Sequence, residues 1–481
     1  MLRRLLDSPR SRSLSRSLLV VPLLGVMLSA AAFPAWSSAA TEAPGQRLPE
    51  GVSDSPLLNS RFLLFGNHTL RRQTLRWAMH NRETQMVAAI IHAMRFLDED
   101  DREYAARALR KITGARIEPD WFKWMQWQQA HPEIQPFEGF DLFLAGLLGG
   151  LDENYKTFIY PGVAHRIRLE EIAWGGVPAR DGIPPLDHPK MLLADEAPYM
   201  RDTERVFGIE INGDARAYPH RFMDWHEMLN DTIGGQPVSL AYCTLCASGI
   251  LFDTRREDSE AFTFGSSGLL YRSNKLMFDY ASNSLWNQFT GEPVVGTLAR
   301  SGIALPVLPV VTTSWEKWRE AHPATTVVAM GTGFQRDYRP GKAYGHYFGT
   351  ADLMFPTLTG ERALRQKEQV FGLRMAGAHK AWPLKRFRGG VVLNDIAGTV
   401  PIVLIGNAKT RDVRAYRREA HEFEFVSRDD LTSVQTQEGV WRVSESELVG
   451  PNNQRLPRLP GHLAFWFAWH NYFGAQTLAE E

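Results

Sequence analysis

The feature that most constrains this chain is an internal copy. Residues 206–240 align with 370–404 at a constant offset of 164, without a gap. Val206, Phe207, Gly208, Gly213, Ala217, Pro219, Leu229, Asn230, Asp231, Gly234, Pro237 and Leu240 recur as Val370, Phe371, Gly372, Gly377, Ala381, Pro383, Leu393, Asn394, Asp395, Gly398, Pro401 and Leu404. Glycines, prolines, apolar residues and an Asn-Asp pair are what a shared backbone needs. The chemistry is not shared. At the same offset His226 faces Gly390, Glu227 faces Val391, Cys243 faces Asn407 and Cys246 faces Thr410. Loss of an imidazole, a carboxylate and both thiols together predicts that these four form one site in the first copy.

A chain of 481 residues has room for two to four domains and a large core. Arg3, Arg4, Arg10, Arg12 and Arg16 precede an apolar run from Leu18 to Phe33, and small residues follow through Ala40. That order predicts a secretory signal, hence an exported protein, periplasmic or extracellular, with no membrane span once residues 1–40 are removed. An uncleaved anchor is the other reading of the run. Five arginines and Asp7 lie within residues 1–40, so their removal takes a formally neutral chain to about −4. No basic nucleic-acid footprint remains; an unidentified small molecule or protein is the expected partner.

The only cysteines are Cys243 and Cys246. An exported protein with so few has no disulfide framework and is held by its core. A bridge across so small a loop adds little stability, which leaves redox chemistry, metal binding or accident.

The expected architecture is α+β. Residues 41–60 read as a linker and 61–160 as a helical segment. Met86, Ala89, Ile90, Ala93 and Leu97, then Tyr104, Ala105, Ala108, Leu109 and Ile112, recur at helical spacing on either side of an acidic break. They predict two helices over 82–112 resembling one HEAT-type unit, a packing appendage by itself. Trp124 and Trp127 lead to His131, and Trp315 and Trp318 lead to His322, at the same spacing. Trp466 and Trp469 repeat the pair alone. Such pairs share one helix face and suit a core, with each histidine as a C-terminal cap. Residues 161–205 form a wrapping connector. Two tandem, pseudo-duplicated β-rich modules follow at 206–335 and 370–475, separated by a connector over 336–369. Asn212-Gly213-Asp214 signals a hairpin, Pro219 opens a helix to about Leu229, and residues 230–237 turn into the strand that delivers Cys243. Trp286 through Gly296 resembles Trp441 through Gly450.

On that helix Glu227 projects about 100° around from His226. Two thiolates and one imidazole suit a catalytic zinc with an open position; soft sulfur ligands also suit copper. The expected metal set is therefore Cys243, Cys246 and His226, with Glu227 as catalytic base or ligand. A dithiol oxidoreductase is the alternative, though Gly249 and a following strand leave no room for a thioredoxin helix. A non-catalytic binding module is the third reading. Asp253, Ser267, Asp279 and Gln288 are secondary pocket candidates. Phe264-Gly265-Ser266-Ser267-Gly268 reads as a Gly/Ser loop.

Several motifs combine into a resemblance. Trp174-Gly175-Gly176 with Asp181-Gly182-Ile183-Pro184, Arg216-Ala217-Tyr218-Pro219, His226-Glu227 with Asn230-Asp231, Tyr242-Cys243-Thr244-Leu245-Cys246, and Trp286 with Gln288-Phe289-Thr290-Gly291 resemble the domain of unknown function 3179 family of exported bacterial and archaeal proteins. The family's usual Cys-Pro-Leu-Cys carries Thr244 here. The resemblance implies a shared site and names no activity.

Overall fold

The computed structural model describes residues 52–257, 260–359, 361–375, 377–428 and 430–480. The expected signal over 1–40 and most of the linker lie outside them. The first helix, α1 (Pro56–Phe65), begins inside the stretch read as linker. Ser55 accepts from the Leu58 N–H and Pro56 occupies the first turn, where its missing N–H costs nothing.

α2 (His68–Asn81), α3 (Val87–Met94), α4 (Glu99–Thr113), α5 (Trp121–Ala130) and α6 (Phe140–Leu151) complete the N-terminal helical segment. The expected pair is α3 and α4, but it is not an isolated unit. Every residue of α3 is buried, and it packs on α1, α4, α5 and α6. Asp98 caps α4 and Gly114, at φ +78°, ends it. His131 and His322 are helix C-caps, as expected; His131 stacks on Trp127 and His322 tilts against Trp318.

The helices share a core with a sheet ordered Ile172–Trp174, Phe264–Tyr271, Asn274–Asp279, Leu285–Asn287 and Glu292–Val295. The opposite side of this sheet meets Met228, Ala241, Ile250 and Phe252 of a second sheet, ordered Val307–Leu308, Ser248–Asp253, Gln236–Cys243, Met228–Ile233 and Leu186–Asp187. The hairpin 264–279 is therefore held between the helices and the strand that carries Cys243. Residues 161–205 do more than wrap, since they supply strands to three sheets.

Asn212 and Gly213 take φ +51° and +83°, the two left-handed positions of a tight hairpin turn, between Arg205–Ile211 and Asp214–Pro219. α7 (His220–His226) follows, shorter than expected. Glu227 turns left-handed at φ +57°, its N–H bonds the Met223 carbonyl, and Met228 starts a strand. Asn230 and Asp231 sit within that strand rather than in a turn; Gly234-Gly235 makes the turn. The Gly/Ser stretch is likewise strand, with Gly268 at φ +77° marking an irregularity in its pairing.

Strand pairing repeats at the offset of 164. Val206↔Pro219, Leu229↔Leu240 and Cys243↔Ser248 have counterparts in Val370↔Pro383, Leu393↔Leu404 and Asn407↔Asp412. Asn230 bonds both backbone groups of Phe264, at 2.9 and 3.0 Å, and Asn394 does the same to Phe423 at 2.8 and 3.0 Å. Asp231 accepts from Arg216 and Tyr218, and Asp395 accepts from Lys380 and Trp382. Trp318 of α8 (Trp315–Ala321) and Trp469, on the helix Trp466–Phe473, lie flat on Gly208 and Gly372, where a methyl group would overlap either ring.

Candidate functional site

The strand Gln236–Cys243 runs straight into a single three-residue turn, Thr244–Cys246, and Ala247 at φ +49° reverses the chain into Ser248–Asp253. This turn brings the Cys243 and Cys246 sulfurs to 3.1 Å. They are 1% and 0% exposed. Around them stand a carboxylate, a cation and several neutral polar groups.

Glu227 reaches the turn because it has left the helix. Its Oε1 accepts from the Thr244 hydroxyl at 2.8 Å and from Tyr344 at 3.3 Å, and its Oε2 lies 3.4 Å from the Lys275 ammonium. Lys275 is buried, with no hydrogen-bonded partner among the described residues. Cys246 Sγ lies 3.4 Å from the Ser273 carbonyl and accepts from Asn274 at 3.4 Å. Asn274 also donates to Gln288, whose own amide donates to the carbonyls of Ala241 and Ser248 on the two strands flanking the turn. Residues 273–275 form the tip of the hairpin 264–279, so the hairpin hands its polar groups to the thiols.

The two thiols differ electrostatically. Burial opposes ionisation of both. Cys243 nevertheless titrates below the ordinary thiol range, because Cys246 and the backbone N–H groups of Lys275 and Cys246 donate to its sulfur. Cys246 is pushed well above that range by burial and by the neighbouring Cys243 sulfur. The arrangement makes Cys243 the more acidic of the two thiols. Lys275 is lowered by burial, opposed by Glu227. Tyr344 is raised, chiefly by the Glu227 charge.

His226 is not brought to the sulfurs. Its Nδ1 lies 2.8 Å from the Pro184 carbonyl and its Nε2 lies 2.6 Å from the Tyr338 hydroxyl, under the ring of Phe334. Burial lowers its pKa, and the bonded nitrogens suit a neutral ring. The expected common site of His226 with the thiols is therefore corrected: α7 ends between His226 and Glu227, and the two side chains enter different surroundings. No group of three His, Cys, Asp or Glu poised to hold a metal occurs among the described residues.

Of the secondary candidates, only Gln288 joins the thiol site, through Asn274. Asp253 pairs with exposed Arg255, Asp279 accepts from Ser282 and Trp286, and Ser267 bonds the Leu276 carbonyl within its own hairpin. Sequence reasoning missed Thr244, Asn274, Lys275 and Tyr344.

No helix among the described residues is long and apolar enough to cross a membrane. Residues 180–476 match the family described as protein of unknown function (DUF3179), and the chain belongs to that family. No curated protein and no solved structure matches it.

Proposed function

We propose that this is an exported dithiol/disulfide redox protein, in which Cys243 is the attacking thiolate and Cys246 the resolving thiol. The observation that carries the reading is the sulfur pair held at 3.1 Å with unequal acidity. Closing it to a disulfide takes each sulfur about half an ångström, to roughly 2.05 Å. The Cys243 thiolate attacks one sulfur of a partner's disulfide, forming a mixed disulfide and expelling the other sulfur as thiolate. That thiolate takes the Cys246 proton. The Cys246 thiolate then attacks Cys243 Sγ, closes the internal disulfide and releases the second partner sulfur as thiolate. Two electrons pass from this chain to the partner.

The duplication supports the reading. We take residues 206–335 and 370–475 as tandem copies of one module, on the shared offset and registers. The copies also align through their tryptophans, since Met277 pairs with Trp286 as Val434 pairs with Trp441. Counting from those pairs sets Lys275 against Thr432, Asn274 against Leu431 and Gln288 against Val443. The second copy thus lacks the groups around the sulfurs as well as the sulfurs. Export rests on the basic-then-apolar N-terminus, which sends the chain to compartments where disulfides persist.

A second reading is copper held by the two sulfurs alone. It draws on their convergence as soft donors. Zinc is less favoured, because His226 has both ring nitrogens bonded.

Exposure to oxidised glutathione, with acid trapping and peptide mass analysis, tests the redox reading. Wild type is expected to form the Cys243–Cys246 disulfide, and Cys246→Ser to accumulate glutathione on Cys243. Thiols that stay reduced in wild type, with one copper per chain that Cys243→Ser abolishes, would replace it with the second reading.

A further inference from the structure

The sulfurs are sealed, yet thiol exchange requires a third sulfur in line with Cys243. Something must move. The chain from 329 to 368 contains no strand among the described residues and a single short helix, α9 (Gly345–Gly349), which has too few turns to hold itself. That helix lies on the thiol turn. Tyr347 donates to the carbonyl of Leu245, between the two cysteines, at 2.7 Å, while Tyr344 donates to Glu227. Removing this short segment would uncover Leu245 and the Glu227 carboxylate together.

Among the described residues, one side chain from outside hydrogen-bonds the carbonyls of this segment. The Lys367 ammonium donates to the carbonyls of Tyr347 at 2.6 Å and Thr350 at 3.1 Å, and it stands 3.2 Å from the centre of the Tyr347 ring. Lys367 precedes the strand Gln369–Met375, which is paired on both sides, so the tie runs from a fixed strand to a stretch with no ladder of its own. Charge-assisted hydrogen bonds and a cation over an aromatic face are individually strong. None of these contacts is needed to form the strands beneath, whose pairing is complete without them.

We infer that residues 344–350 are a cover over the dithiol, latched by Lys367, and that its opening controls access of the partner sulfur. The inference rests on the dithiol reading for its purpose but not for its test. Alkylation of folded protein with iodoacetamide, followed peptide by peptide, reads access without any redox step. Wild type is expected to react far more slowly at Cys243 than the same protein in denaturant. Lys367→Met and Tyr347→Phe are each expected to react at least about tenfold faster than wild type. Lys317→Met, which removes a surface lysine paired with Glu320 within α8, is expected to match wild type.

Hydrogen exchange on the same variants separates opening from loosening. Faster exchange confined to residues 340–352, with the amides of 238–243 still protected, is the expected pattern. Wild-type rates in both latch variants, or faster exchange through the thiol strand, would overturn the cover. If thiols label as expected but never form a disulfide, the redox reading fails and the cover stands.

Discussion

The two halves of the β-rich region pair their strands in matching registers at an offset of 164, and differ at the turn that carries the thiols. In both, an Asn side chain stitches a neighbouring strand, an Asp collects two donors from the hairpin before it, and a tryptophan lies flat on a glycine. Each device satisfies a buried polar group or fills space, so each is required wherever that backbone is built. The turn after the thiol strand differs. Cys243-Thr244-Leu245-Cys246 in one half faces Asn407-Ala408-Lys409-Thr410 in the other, where Asn407 accepts from the Lys409 N–H as in an ordinary turn. A turn needs neither sulfur, and the buried Lys275 next to the first turn is a cost that Thr432, at the matching place in the second half, does not carry. What the halves share is explained by folding; what they do not share is not required by it.

Four sets of substitutions bear on that contrast. The largest effect is expected from Lys275→Met, which leaves Glu227 charged and buried without its cation. Unfolding free energy should drop by about 3 kcal/mol, whereas Thr432→Met at the matching place should change it by less than about 1 kcal/mol; chemical denaturation measures both. Equal losses would dissolve the contrast.

Next come Gly208→Ala and Gly372→Ala. Each drives a methyl group into a tryptophan ring and should cost about 2–3 kcal/mol, alike in the two halves. Insensitivity of one would show that its tryptophan is not a structural counterpart. Asn230→Ala and Asn394→Ala should each cost about 1–3 kcal/mol through the orphaned Phe264 and Phe423 backbone groups; thermal melts compare them.

The smallest effect is electrostatic. In Lys367→Met, where the cover is expected to open, Cys243 should alkylate with a midpoint below the ordinary thiol value and Cys246 above it. Cys246→Ala should move the Cys243 midpoint upward, since a hydrogen-bond donor to its sulfur is removed. A single shared midpoint near 9 would mean that the turn does not differentiate the thiols.

Much of the scaffold is legible in the sequence. Asn212-Gly213 fixes one hairpin, and the offset of 164 fixes which strands correspond. The site is only partly legible. A non-glycine residue in a left-handed helix cap, as at Glu227, carries no sequence mark, so neither does the parting of His226 from Glu227. The partners of His226 come from positions 184 and 338, set by packing rather than spacing. Lys275 and Asn274 lie about thirty residues beyond the cysteines, on a hairpin whose Gly/Ser-rich first strand reads as a loop. One signal does reach them. Extending the match between Trp286 and Trp441 back through their partner strands would have set Lys275 against Thr432, and marked it by the same joint loss that marked the thiols.

The central claim is that the first half alone carries a working dithiol. The most direct test is a redox titration of the protein in thiol buffers spanning roughly −320 to −120 mV, read by differential trapping of the two cysteines. The account predicts one reversible two-electron transition within that span, with both cysteines changing state together. Thiols that remain reduced throughout, or that oxidise only into links between chains, would contradict it.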